Sequence, residues 1–205
     1  DFRTRFSDGI AHDNRPCLPS TAICLWRYGT LSLRFVDRTI ERFMKIGIYP
    51  GTFDPITHGH TDIITRSLRV FDKVVVAVAP NQSKHPLFTL TERLDMIRIV
   101  MEKMKQVEVT HFDGLLVDFV QRYGGHAIIR GLRAISDFEH EFQMALMNRK
   151  IAKQVETVFL MPSEEYSYLS STIIKEVANH GGALTEFLHP EVARQLQNRI
   201  RSLKT

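Results

Sequence analysis

Lys45-Ile46-Gly47-Ile48-Tyr49-Pro50-Gly51-Thr52-Phe53-Asp54-Pro55-Ile56-Thr57-His58-Gly59-His60 is the stretch on which the fold turns. It opens with a short β-branched run, breaks into a Gly- and Pro-containing loop, and leads into apolar residues at helical spacing over Gly59–Val70. That is strand, loop, helix. Gly51 and Gly59 let a ligand come close to the backbone, and a helix N-terminus behind the loop offers unpaired N–H groups to an anion. The loop is not a P-loop, because no Gly-Lys-Ser/Thr follows, and it lacks Gly-x-Gly-x-x-Gly. His58, His60 and Asp54 match no standard metal-ligand spacing, so no metal ligand is assigned.

The alternation continues downstream. Lys45–Tyr49, Lys73–Ala79, Gln106–Thr110, His126–Ile129 and Thr157–Met161 are brief and read as strands buried on both faces. Between them, Gly59–Val70, Thr91–Met104, Leu115–Tyr123 and Phe138–Ile151 carry apolar residues at helical spacing. Thr89 and Glu92 form a capping box, and Ser171–His180 and Pro190–Leu203 close the chain as helices, the first ended by Gly181-Gly182. The pattern predicts an α/β protein, a Rossmann-like doubly wound five-stranded parallel sheet with helices on both faces. Ligands of such a sheet bind outside the carboxyl ends of the strands, which directs attention to the segments after each strand.

Composition excludes several other classes. The 205 residues are 43% hydrophobic and 24% charged, a balance suited to a folded globular chain with a sizeable core. No apolar run approaches the roughly 20 residues of a membrane span, and no secretory signal pattern opens the chain, so a cytoplasmic location is expected. A formal charge of +4 suits phosphate-bearing small molecules as well as nucleic acid and decides nothing alone. Cys17 and Cys24 exclude a disulfide framework or thiol nucleophile for the bulk of the chain. Residues 1–43 read differently from the rest, with seven arginines, no lysine and no sustained period. They are expected to be a poorly ordered or non-native extension, with residues 44–205 forming the domain.

The strand-end segments hold the chemistry. After the second strand, Pro80-Asn81-Gln82-Ser83-Lys84-His85-Pro86 presents a lysine that can neutralise a phosphate. After the fourth, Ile129-Arg130-Gly131-Leu132-Arg133 sets two arginines around a glycine, and the planar arginine fork suits multidentate phosphate contact. In the helix beyond, Asp137, Glu139 and Glu141 suit a first turn; any one could hold a ribose, and spacing does not choose among them. After the fifth strand, Tyr166-Ser167-Tyr168-Leu169-Ser170-Ser171-Thr172 concentrates hydroxyls before a helix, where they cap it and can hold phosphate or ribose oxygens.

These strings carry a resemblance. Gly51-Thr52-Phe53-Asp54-Pro55-Ile56-Thr57-x-Gly59-His60 resembles the Thr-x-Gly-His signature of the nucleotidyltransferase superfamily. With Ser83-Lys84-x-Pro86, Ile129–Ala134, Asp137-Phe138-Glu139, Met147-Asn148-Arg149 and Tyr166-Ser167 followed by Leu169–Thr172, the set resembles the bacterial phosphopantetheine adenylyltransferase family, from Met44 almost to the C-terminus. The resemblance implies transfer of the adenylyl group of ATP to 4′-phosphopantetheine, giving dephospho-coenzyme A and pyrophosphate. It implies His60 at the α-phosphate and Thr52 orienting the attacking phosphate, with Lys84, Arg130 and Leu116 on the phosphopantetheine side. Phe53, Gly131, Leu132, Arg133, Glu141, Tyr166, Ser167, Tyr168, Leu169, Ser170, Ser171 and Thr172, together with Thr52 and His60, are implied to contact ATP. Magnesium would accompany the triphosphate, coenzyme A would be a feedback ligand, and the assembly would be a homohexamer. The competing readings are a nicotinate-mononucleotide adenylyltransferase, a cytidylyltransferase, or a non-catalytic nucleotide-sensing or RNA-binding module on the same scaffold.

Overall fold

A computed structural model describes residues 26–27, 30–31, 44–80, 85–133 and 135–204. The chain forms two compact units, Asp1–Arg42 and Phe43–Thr205. In the first, β1 (Trp26–Arg27) pairs antiparallel with β2 (Thr30–Leu31). The remaining expectation for residues 1–43, including Cys17 and Cys24, lies outside the described residues.

The second unit is built on a five-stranded sheet, all of whose pairings are parallel. In chain order it runs β3 (Ile46–Gly51), α1 (His58–Ser67), β4 (Lys73–Val78), α2 (Leu90–Met101) and β5 (Val107–His111). It continues through α3 (Leu116–Tyr123), β6 (Ala127–Gly131), α4 (Ile135–Ile151) and β7 (Glu156–Leu160). A 3-10 turn at Glu164–Tyr166 leads to α5 (Ser171–Asn179) and α6 (Pro190–Lys204). The spatial order is β5-β4-β3-β6-β7, so the chain reverses direction across the sheet between β3 and β6. The expected doubly wound sheet is present, with strand and helix ends shifted by no more than three residues.

Side-chain alternation makes two cores. Val74, Val76, Val78 and Ile129 join Ile63, Ile64, Ile97 and Leu196 on one face. Val75, Ala77, Ile48 and Ile128 face the other way onto Val117 and Val120 of α3. Period-two strands serving helices on both faces produce this result. The central strands β3, β4 and β6 are buried as expected; the edge strands β5 and β7 are only half-buried, because each has a neighbour on one side alone. The Thr89–Glu92 capping box is reciprocal, with Thr89 N–H donating to Glu92 Oε2 at 2.8 Å. Gly181, at φ +76, follows the end of α5, where a residue with a Cβ would be strained. No described helix is long and apolar enough to cross a membrane.

One departure from sheet regularity creates the site. β3 and β6 pair only at Gly47–Ala127 and Ile48–Ile128 and then part toward their carboxyl ends. Pro50 has no N–H to give to the ladder, and its carbonyl accepts from Arg130 Nη1 at 3.2 Å instead. The strands therefore open at the point where strand order reverses, where ligands of such sheets bind.

Candidate active site

The opening holds a cleft of about 490 Å³. Its floor is Tyr49 to Asp54, its near wall Thr57, Gly59 and His60, and its far wall Arg130, Gly131, Arg133 and Glu141. Tyr166 and Leu169–Thr172, with Lys175 of α5, complete the rim.

His60 is set by the start of α1. Thr57 is the N-cap, and its hydroxyl oxygen accepts from His60 N–H at 3.4 Å. In return, His60 Nδ1 accepts the backbone N–H of Thr57 at 3.0 Å. This is a capping box in which histidine takes the position usual for Glu or Gln. A backbone N–H can only donate, so Nδ1 carries the lone pair and the neutral ring bears its proton on Nε2. Burial, and secondarily the Arg133 charge, lower the His60 pKa to about 4. The ring is thus a neutral donor at ordinary pH. Phe53 packs edge-on against it, with centroids 5.1 Å apart.

Phe53 has a positive φ of 50° and a buried ring lying over Gly51. A Cβ at Gly51 would stand 2.8 Å from that ring, so glycine is needed there for close approach rather than for a turn. Phe53 lies on the cleft floor, and its buried side chain also belongs to the core.

The cations of the far wall are already engaged. Arg130 grips Glu141 bidentately, Nε to Oε2 at 2.6 Å and Nη2 to Oε1. The two residues assigned to different substrates therefore meet as one ion pair. Arg133 Nη1 donates to Leu169 O at 3.0 Å, tying the β6 end to the hydroxyl-rich segment. Within that segment, Ser170 caps α5 by accepting from Ile173 N–H at 3.1 Å, and Ser171 donates to Pro55 O at 2.8 Å. Capping is thus a large part of why those hydroxyls are there.

Some expected residues lie elsewhere. Leu116 packs against the second core cluster, and it and Leu132 do not line the cleft. Ser167 and Tyr168 border a separate shallow hollow with Glu164 and Glu165. Leu169 is buried and offers its carbonyl rather than its side chain. Lys84 lies outside the described residues. His58 turns away from His60, its Nδ1 meeting Glu186 O at 3.0 Å.

Other residues in and beside the cleft received no role from the sequence. Asp54 is buried, accepts the N–H groups of Leu87 and Phe88 at 3.0 and 2.9 Å, and pairs with Lys175 at 2.6 Å. Lys175 sits 121 residues downstream of it, so only the fold brings the two together. Tyr49 is buried on the cleft floor, where burial pushes its phenol pKa up and keeps it protonated. Asp62 of α1 accepts from Ser163 N–H at 2.7 Å and pairs with Arg66, holding the segment after β7 against α1. The Thr57–His60 capping box was legible in sequence, since Thr-x-x-His differs from the usual box only in its last residue.

A cleft at the strand-order reversal, walled by arginines and a neutral histidine at a helix start, is the arrangement of a nucleotide-handling α/β protein. A family profile described as cytidylyltransferase-like matches residues 48–177, which sets the class as nucleotidyltransferase. Among relatives, the phosphopantetheine adenylyltransferase of Thiobacillus denitrificans is 52% identical over 158 residues, 77% of this chain and 99% of that protein. That of Alkalilimnicola ehrlichii is 56% identical over 156 residues, 75% of this chain and 90% of the other. The chain belongs to the phosphopantetheine adenylyltransferase family. A solved bifunctional NMN adenylyltransferase/ADP ribose pyrophosphatase from Francisella tularensis, complexed with AMP and manganese, shares the fold. Its TM-score is 0.57 at 14% identity, over 78% of this chain and 52% of that one.

Proposed function

We propose that the chain transfers the adenylyl group of ATP to 4′-phosphopantetheine, giving dephospho-coenzyme A and pyrophosphate, a step of coenzyme A synthesis. The observation that carries the mechanism is the Thr57–His60 capping box, which leaves a neutral Nε2–H donor in a cleft bordered by Arg130, Arg133 and Lys175. A phosphate oxygen of phosphopantetheine attacks the α-phosphorus of ATP. The bond from that phosphorus to the bridging oxygen breaks opposite it, and pyrophosphate leaves. The attacking phosphate is already a nucleophile, so the reaction calls for neither a general base nor a covalent intermediate. The protein supplies alignment of two anions and stabilisation of charge at the α-phosphate.

In this reading His60 donates to the α-phosphate, and Thr52 orients the attacking phosphate with Lys84 and Arg130. Gly131 and Arg133, Tyr166, and the Ser170–Thr172 helix start take ATP, the last through a helix N-terminus suited to phosphate. Phe53, Glu141 and Leu169 line the cleft, whereas Lys84, Leu116, Leu132, Ser167 and Tyr168 carry their assignments by resemblance alone. A divalent ion, magnesium in this reading, would neutralise charge on the triphosphate. Asp54 is committed to two amides and Lys175, and no described cluster of three or more His, Cys, Asp or Glu forms a cage. The phosphates and water suit such an ion better than these side chains do.

A homohexamer is proposed from the resemblance, and α4 supports self-association because Phe138, Phe142, Met144 and Met147 are exposed on it. A cytoplasmic location and coenzyme A as feedback ligand belong to the same reading. Pyrophosphate release with ATP and either phosphopantetheine or nicotinate mononucleotide is the decisive assay. Turnover with phosphopantetheine alone is expected, and turnover with nicotinate mononucleotide instead would overturn the assignment.

A further inference from the structure

Arg93, at the end of the first turn of α2, is 1% exposed and among the largest fully buried side chains. Its four described side-chain hydrogen bonds all go to main-chain carbonyls. Nη1 donates to Thr52 O at 2.7 Å and Ala79 O at 2.8 Å, Nη2 to Pro80 O at 3.1 Å, and Nε to Phe88 O at 3.2 Å. These carbonyls belong to the loop after β3, the chain leaving β4, and the entry to α2. Asp54 closes the same place from the other side, accepting the N–H groups of Leu87 and Phe88.

A buried guanidinium is expensive to desolvate, and a neutral amide linking carbonyls would carry a smaller penalty. Arginine adds a planar fork that fixes several acceptors in one geometry. Here that geometry includes Thr52 itself. It also includes Ala79 and Pro80, and Asp54 holds Leu87 further along the chain.

We propose that Arg93 is a positioning residue for the acceptor substrate, setting Thr52 through its carbonyl and holding the exit of β4 in register with it. The inference rests on the reading that Thr52 orients the attacking phosphate. Arg93 is not among the residues lining the cleft and so acts through the backbone. Thr52 and His60 are assigned to ATP as well, but most of the assigned ATP contacts lie on the β6 and α5 sides, which Arg93 does not hold, so disturbing Arg93 should weigh far more on the acceptor than on ATP.

The test compares the intact chain with Arg93→Lys, which keeps the charge and loses the fork. Wild-type pyrophosphate release from ATP and phosphopantetheine is established first; its failure would sink the parent reading and not this one. For Arg93→Lys the expected result is a KM for phosphopantetheine raised about tenfold and a kcat lowered about tenfold, since displacement by an ångström costs of that order. The KM for ATP should stay within about threefold. Thermal melting and calorimetric titration with ATP-magnesium confirm that the variant is folded. Proportional losses for both substrates, or unchanged kinetics in a folded variant, would overturn the proposal. If Arg93→Lys does not fold, Arg93→Gln is read the same way. Failure of both to fold would also overturn it, making Arg93 a requirement of the fold alone.

Discussion

The Nδ1 of His60 stands 3.0 Å from the backbone nitrogen of Thr57, three residues earlier, and that one contact chooses the tautomer of the site histidine. The helix start needs an acceptor at this position to satisfy its N-cap N–H. A histidine there serves the helix with one nitrogen and keeps the other as a donor. In the proposed mechanism, helix capping and the contact with the α-phosphate use opposite edges of one ring.

His60→Ala should leave ATP binding within about tenfold of wild type and lower turnover by two or more orders of magnitude. A donor aimed at charge developing in the transition state contributes on the order of 3–4 kcal/mol to the barrier. Steady-state kinetics and calorimetric ATP binding check this, and a variant retaining a tenth of wild-type turnover would remove His60 from the mechanism.

Because burial lowers the His60 pKa to about 4, the ring should not titrate between pH 5.5 and 8 in the folded protein. The folded value lies below the unfolded one of about 6.5, so the unfolded chain takes up the proton first as pH falls. His60 therefore contributes stability that is present above about pH 6.5 and lost as pH drops toward 4. Proton NMR of the ring Cε1–H reads this directly. An inflection near pH 6.5 assigned to His60 would contradict it.

Lys84→Ala and Arg130→Ala should each raise the KM for phosphopantetheine much more than that for ATP, because both are assigned to the acceptor phosphate. Arg130 also neutralises Glu141, so a melting curve must accompany its kinetics. Equal effects on both substrates would place these side chains elsewhere.

Asp54→Ala removes the partner of two amides and of Lys175 in a buried place. Leaving two N–H groups without an acceptor and the half-buried Lys175 without its partner costs on the order of 2–4 kcal/mol. The urea midpoint should fall accordingly. A loss under about 1 kcal/mol would mean that water or another group replaces the carboxylate.

A chain beginning at Met44 should fold, melt within a few degrees of the 205-residue protein and keep its turnover. Both hydrophobic clusters and every described cleft residue lie within Phe43–Thr205. Loss of activity or solubility would show that residues 1–43 complete the folded protein.

The architecture could be read from the chain because it rests on local periodicity. Runs such as Val74–Val78, set between amphipathic stretches, specify strands with helices on both faces, and Thr89 with Glu92 marks a helix start through contacts three residues apart. Arg130, Arg133 and His60 were legible for the same reason, each following a recognisable strand into a glycine-bearing loop. Tertiary structure alone decided which charges meet. Asp54 and Lys175 are 121 residues apart, Arg93 and Thr52 are 41 apart, and no local pattern marks either pair. It also decided that Phe53 and Leu169 turn their side chains into the core and that Glu141 closes on Arg130. Secondary structure follows from the spacing of residues along the chain, whereas charge pairing and burial depend on where the sheet and helices set those residues in space.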